Sequence, residues 1–119
     1  MKRILIALLT LMSFSSIKAE KVTVDQFNSK LSAYSTILKD ANAKYEQALA
    51  ADNKKEVVYQ YCRRLGIYHK AHTMAKDNPQ IATSAEVIET MEDILKSHLR
   101  PIKAQGLTEE QFCAMESKL

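Results

Sequence analysis

Three histidines, two cysteines and a run of carboxylates are the side chains of this sequence suited to metal-ligand, redox or acid–base roles. His69 and His72 stand three residues apart, and His98 follows in the next predicted helix, near Met91. At 100° per residue each histidine falls inside an apolar stripe of its helix. Inward-facing histidines and methionines on adjacent helices are how bundles hold a metal ion or haem b. The same placement suits core histidines whose ring nitrogens find backbone or tyrosine partners, and no Glu-x-x-His pair for a di-iron centre occurs. The expectation is therefore that His69, His72 and His98 are structural, with no metal and no cofactor. A metal- or haem-binding bundle using these three residues is the alternative.

Cys62 and Cys113 have neither CxxC redox, CxxCH haem-attachment nor zinc-knuckle spacing. An isolated pair in an exported chain is expected to form a disulfide. Closing a loop of about 50 residues would stabilise the fold by roughly 4 kcal/mol in the chain-entropy model. Glu86, Glu89, Glu92 and Asp93 cluster, but helical spacing puts them mostly on a solvated side, without the cleft that drives paired carboxylate pKa values apart. Gly-x-Ser-x-Gly, His-Glu-x-x-His and phosphate-cradling glycine loops are absent from the sequence, so a non-enzymatic protein is expected.

Lys2 and Arg3, the apolar run 4–14 and the small or polar exit 15–19 form an export signal, with cleavage expected before Glu20. The run is shorter than the ~20 residues a helix needs to span a bilayer, and no cysteine follows it to carry a lipid. The domain reading is thus signal peptide 1–19 and a single helical domain 20–119. Export to the periplasm or secretion is expected, with no membrane attachment after cleavage. Losing Lys2, Arg3 and Lys18 with the leader would bring the 17 basic residues level with the 14 acidic ones. That balance argues against nucleic-acid binding by phosphate neutralisation.

Only two glycines and two prolines are present, few for a turn-rich β fold, and the composition favours helices. A capping box pairs an N-cap Ser, Thr or Asn with Glu or Gln three residues on. It fits at Thr23–Gln26, Asn53–Glu56, Thr83–Glu86 and Thr108–Gln111, with hydrophobic staples Val22–Phe27 and Leu107–Phe112 at two of them. Asn78-Pro79 is a competing start for the third helix. In the first helix Val24, Phe27, Leu31, Tyr34, Leu38, Ala41, Tyr45 and Ala48 form an a/d seam. In the second, Val58, Tyr61, Cys62, Leu65, Tyr68, His69 and His72 share a face. In the third, Val87, Ile88, Met91, Ile94, Leu95, Leu99 and Ile102 do. Pro101 is expected to kink or end that helix, and Gly106 with Leu107 to close it in a Schellman turn. The fold predicted is all-α: a small up-and-down bundle of about four helices with one disulfide.

Two surface features bear on function. Residues 54–76 hold six bases and one acid, and 77–93 five acids and no base. This suits either pairing between adjacent antiparallel helices or a polarised surface that steers a charged partner. Tyr59, Ile67 and Met74 lie opposite the expected core face of the second helix, interleaved with Arg63 and Lys70. A stripe of that composition resembles an interface, so Tyr59, Arg63, Ile67, Lys70 and Met74 are the expected partner-binding residues.

The hexapeptide Leu107-Thr108-Glu109-Glu110-Gln111-Phe112 resembles the LTxxQ motif of the Spy/CpxP family of periplasmic helical chaperones, and Val22-Thr23-Val24-Asp25-Gln26-Phe27 looks like a weaker second copy. That resemblance implies an exported, all-helical chaperone or stress accessory. Together these features predict an exported, non-enzymatic protein acting by protein–protein binding. An inhibitor or immunity-type role comes first, by analogy of architecture. The partner would be an exported effector or enzyme, with a homodimer as a further possibility.

Overall fold

The structure, a computed structural model, describes residues 21–119; the expected leader lies outside them. Among these residues four α-helices follow one another: α1 (Val24–Ala50), α2 (Lys54–Asp77), α3 (Ser84–Ala104) and α4 (Glu109–Ala114), and a 3₁₀ turn, Met115–Lys118, continues α4. Among the described residues there is no strand, and Cys62 is bonded to Cys113. The molecule is a small all-α bundle closed by one disulfide.

Local chemistry accounts for most of the boundaries. Thr23 and Thr108 make full capping boxes with Gln26 and Gln111. Val22 and Phe27 pack in one core cluster, and Leu107 and Phe112 in another, as the staples require. Asn53 forms half a box. Its Oδ1 accepts from the Glu56 amide at 3.2 Å, while the Glu56 carboxylate is taken by Gln60 Nε2 at 2.6 Å. The expected box at Thr83 does not form. Thr83 already has helical dihedrals, φ −84° and ψ −4°, and an N-cap needs extended backbone to turn its side chain back onto the helix. Asn78 organises this corner instead. Its Oδ1 accepts from the Val22 amide, its Nδ2 donates to the Met74 carbonyl, and its own carbonyl accepts from Ser84 Oγ at 2.6 Å.

Helix α3 runs through Pro101 for three further residues, so the proline does not end it. The donor it removes would have bonded the carbonyl of Ser97, and both residues are exposed to water. The Schellman turn follows: Leu107 N–H donates to Ile102 and Gly106 N–H to Lys103, with Gly106 at φ +74°. Helix α1 ends the same way, with Asn53 N–H donating to Ala48, Asp52 N–H to Leu49, and Asp52 at φ +52°.

The three long helices are antiparallel neighbours in an open row. Asp40 of α1 meets Arg63 of α2, and Lys21 meets Asp77 beyond; Tyr61 of α2 meets His98 of α3, and His72 meets Glu92. The backbones of α1 and α3 nowhere approach within 8 Å. Helix α2 is therefore covered on two flanks. Its buried residues sweep from Met74 through Ile67, Gln60 and Ala71 to Tyr68, Leu65 and Val58, an arc of roughly 200° at 100° per residue. One core cluster forms around Phe27, Met74, Ala75 and Ile81, the other around Leu65, Tyr68, Leu95 and Ile102. The α1 seam begins at Phe27, because Val24, in the first turn, is 57% exposed.

Candidate interaction surface

The stripe expected to bind a partner is divided by this arrangement. Tyr59 is half exposed and Lys70 is exposed. Arg63 lies against α1, where its Nη1 donates to Asp40 Oδ2 at 2.7 Å and to Gln60 Oε1 at 3.2 Å. Ile67 and Met74 are core residues, 6% and 8% exposed. Their expected surface position is corrected, and the cause is α1. A helix with neighbours on two flanks needs apolar residues on both, so the side opposite α3 is interior. Lys70 and Met74 do meet Lys30 and Tyr34 of α1 around a hollow of about 310 Å³.

The histidines are dispersed rather than gathered. His69 Nε2 lies 2.9 Å from Glu109 Oε1 of α4, and His72 Nε2 lies 3.1 Å from Glu92 Oε2 of α3. His98 Nδ1 lies 2.8 Å from the Ile94 carbonyl, with the ring between those of Tyr61 and Tyr68. Among the described residues no three His, Cys, Asp or Glu side chains form a group that could hold a metal ion. Each histidine instead ties or braces helices.

Charge pairing also differs from the sequence expectation. The arginines of α2 are absorbed mainly by α1. Arg63 and Lys44 together hold the Asp40 carboxyl below its usual range, with the Arg63 hydrogen bond the larger cause. Arg64 donates to Asn42 Oδ1, and its guanidinium stacks on the rings of Tyr45 and Tyr61, 4.4 and 4.9 Å from their centroids. Burial pushes the Tyr61 and Tyr68 hydroxyls above the usual tyrosine value. The acids of α3 contribute Glu92 alone to the interior pairing. Glu86, Glu89 and Asp93 face solvent without an ion pair among the described residues.

A surface that sequence reasoning missed lies at the end of the row where α1 turns into α2. There the 3₁₀ segment and α4 pack back on α2, held by the disulfide, Cα to Cα 5.9 Å, and by the edge-on contact of Phe112 with Tyr61. Leu49, Val57, Val58, Phe112, Met115 and Leu119 line a groove of about 320 Å³. Leu49 and Leu119, two of the four exposed large apolar residues among those described, are 48% and 53% exposed at its edge. Asp52 and Lys54 complete the rim. The pairing of Cys62 with Cys113 was the one sequence signal that α4 returns to this end.

The fold and surface define a disulfide-closed helical bundle with an apolar groove at one end. No protein-family model, curated protein or solved structure matches the chain. No helix among the described residues is long and apolar enough to cross a membrane.

Proposed function

We propose that this is an exported, non-enzymatic binding protein of the periplasm, of inhibitor or immunity type, that works by docking on another protein. The groove at the α1–α2 turn supports the reading best. It is concave and almost wholly apolar, and it is rimmed by half-exposed leucines and charges, the anatomy of a hot-spot pocket with a polar rim. Fixed helices and a disulfide pre-form it, which lowers the ordering cost of binding. Both LTxxQ-like segments serve here as helix caps, so the chaperone reading gains no separate support from them. The histidines are engaged on three different contacts, and the metal-binding reading gains none either.

Photo-crosslinking in the native compartment tests the proposal. A benzoylphenylalanine at Leu49 should give a discrete protein adduct, whereas the same probe at Glu89 on α3 should not. The purified protein should then inhibit or mask the captured partner. No adduct at Leu49, or equal labelling at both sites, would overturn the reading.

A further inference from the structure

The groove does not stand alone. A second recess, lined by Ala51, Asp52, Asn53, Lys54, Lys55 and Leu119, shares Asp52, Lys54 and Leu119 with it. An apolar slot thus opens directly into a polar mouth bounded by two lysines. Those lysines break a rule kept by the other described helices. Helices α1, α3 and α4 carry Asp25, Glu86, and Glu109 with Glu110 in their first turns and no base there. Among the described helices α2 alone opens on two bases, Lys54 and Lys55, ahead of Glu56. Cations at a helix N-terminus add to the positive end of the dipole and disfavour the helix. Both are exposed and make no ion pair or side-chain hydrogen bond among the described residues. Where a sequence breaks a local rule without an internal gain, function is the usual reason.

We infer that this cleft takes an acidic segment of a partner protein, which inserts one or two large apolar side chains into the groove while Lys54 and Lys55 hold its carboxylates. The inference rests on the protein-binding reading above and gives that partner its chemistry. A second copy of this chain fits poorly. Isologous pairing would set lysines against lysines. The unpaired acids of α3 have none of the four exposed large apolar residues beside them on that helix. A lipid surface fits poorly too, since the apolar area is recessed and membrane anchors project. Asp52, on the same rim, offsets one of the two positive charges and sharpens the test.

Fluorescence anisotropy of the full mature chain is measured with a labelled synthetic peptide carrying two leucines between runs of glutamate. Controls replace its glutamates with lysine or its leucines with serine. The acidic peptide should bind about tenfold tighter than either control, and more weakly as salt rises. Lys54→Glu with Lys55→Glu should reverse the preference without lowering Tm, and Asp52→Asn should tighten binding about two- to threefold. Equal binding of acidic and basic peptides, or indifference to the lysine exchange, would overturn the inference. So would sedimentation showing a dimer that Leu49→Asp dissociates, or capture by anionic phosphatidylglycerol vesicles that the lysine exchange abolishes. If the peptides fail while crosslinking at Leu49 persists, the partner chemistry is wrong and the binding function stands. If both fail, so does the function.

Discussion

Leu65 and Ile67 lie two residues apart on α2 and are both buried, 0% and 6% exposed, on opposite flanks of the helix. Burying both follows from neighbours on two sides. Ile67→Asp should therefore destabilise the fold by at least ~3 kcal/mol, because it places a charge without a partner in the interior. Leu65→Ala should cost about 2–5 kcal/mol. Tyr59→Asp, on the exposed arc between them, should stay within about 0.5 kcal/mol of wild type. Urea unfolding of the three variants checks the register of α2 directly; a harmless Ile67→Asp would mean that α1 does not cover it.

The two described glycines should respond in opposite senses to alanine. Gly66 sits inside α2, and a methyl group built there meets nothing within 4 Å. Gly66→Ala should stabilise the protein by about 0.5–1 kcal/mol through the backbone entropy of the unfolded chain. Gly106 also has open space around it, but at φ +74°. Gly106→Ala should cost about 1–2 kcal/mol, the penalty for a side chain in left-handed backbone. Thermal unfolding of the pair separates steric room from backbone strain.

Reduction of Cys62–Cys113 should lower stability by about 4 kcal/mol, the loop-closure value for the 51-residue separation. The helices α1 to α3 are bonded internally, so far-UV circular dichroism should keep most of its amplitude. The loss should concentrate in faster amide exchange over residues 109–118, the segment that forms one wall of the groove. Rapid exchange spread evenly over the chain would contradict this.

Stability should fall at alkaline pH. Burial raises the pKa of Tyr61 and Tyr68 in the folded state, opposed in part by Arg64. Their folded values exceed the unfolded value near 10, so the native state holds these protons more tightly. The stabilisation is complete below about pH 10 and is lost as pH rises through the folded values. Denaturation midpoints across that range should decline, and Tyr68→Phe should flatten the decline. An unchanged slope in Tyr68→Phe would assign the effect to other groups.

Much of this architecture was legible because its determinants are local. Thr23, Thr108 and Gly106 act within one turn of themselves, and the seams of α1 and α3 each face one long helix, α2. Thr83 misled because the motif does not record that the backbone after Asn78 is already turning. Ile67 and Met74 misled for a tertiary reason. A helix buried over roughly 200° has no single apolar face to read, and its second flank resembles an exposed stripe. The groove was invisible because Leu49, Val57, Phe112 and Leu119 belong to three separate segments, joined only once α4 folds back.

The absence of close approach between α1 and α3 has a thermodynamic corollary. With coupling passed only from neighbour to neighbour, the molecule resembles a very short repeat array, whose stability is a sum of unit and interface contributions. The disulfide fastens α2 to the α4 edge and closes the loop that carries α3, so of the three long helices described α1 alone lies outside that loop. Under native conditions α1 should unzip as its own cooperative unit, with a lower opening free energy than α2 and α3. Cooperativity then resides in one helix: weakening α2 lowers the stability of every unit, whereas weakening α1 lowers chiefly its own.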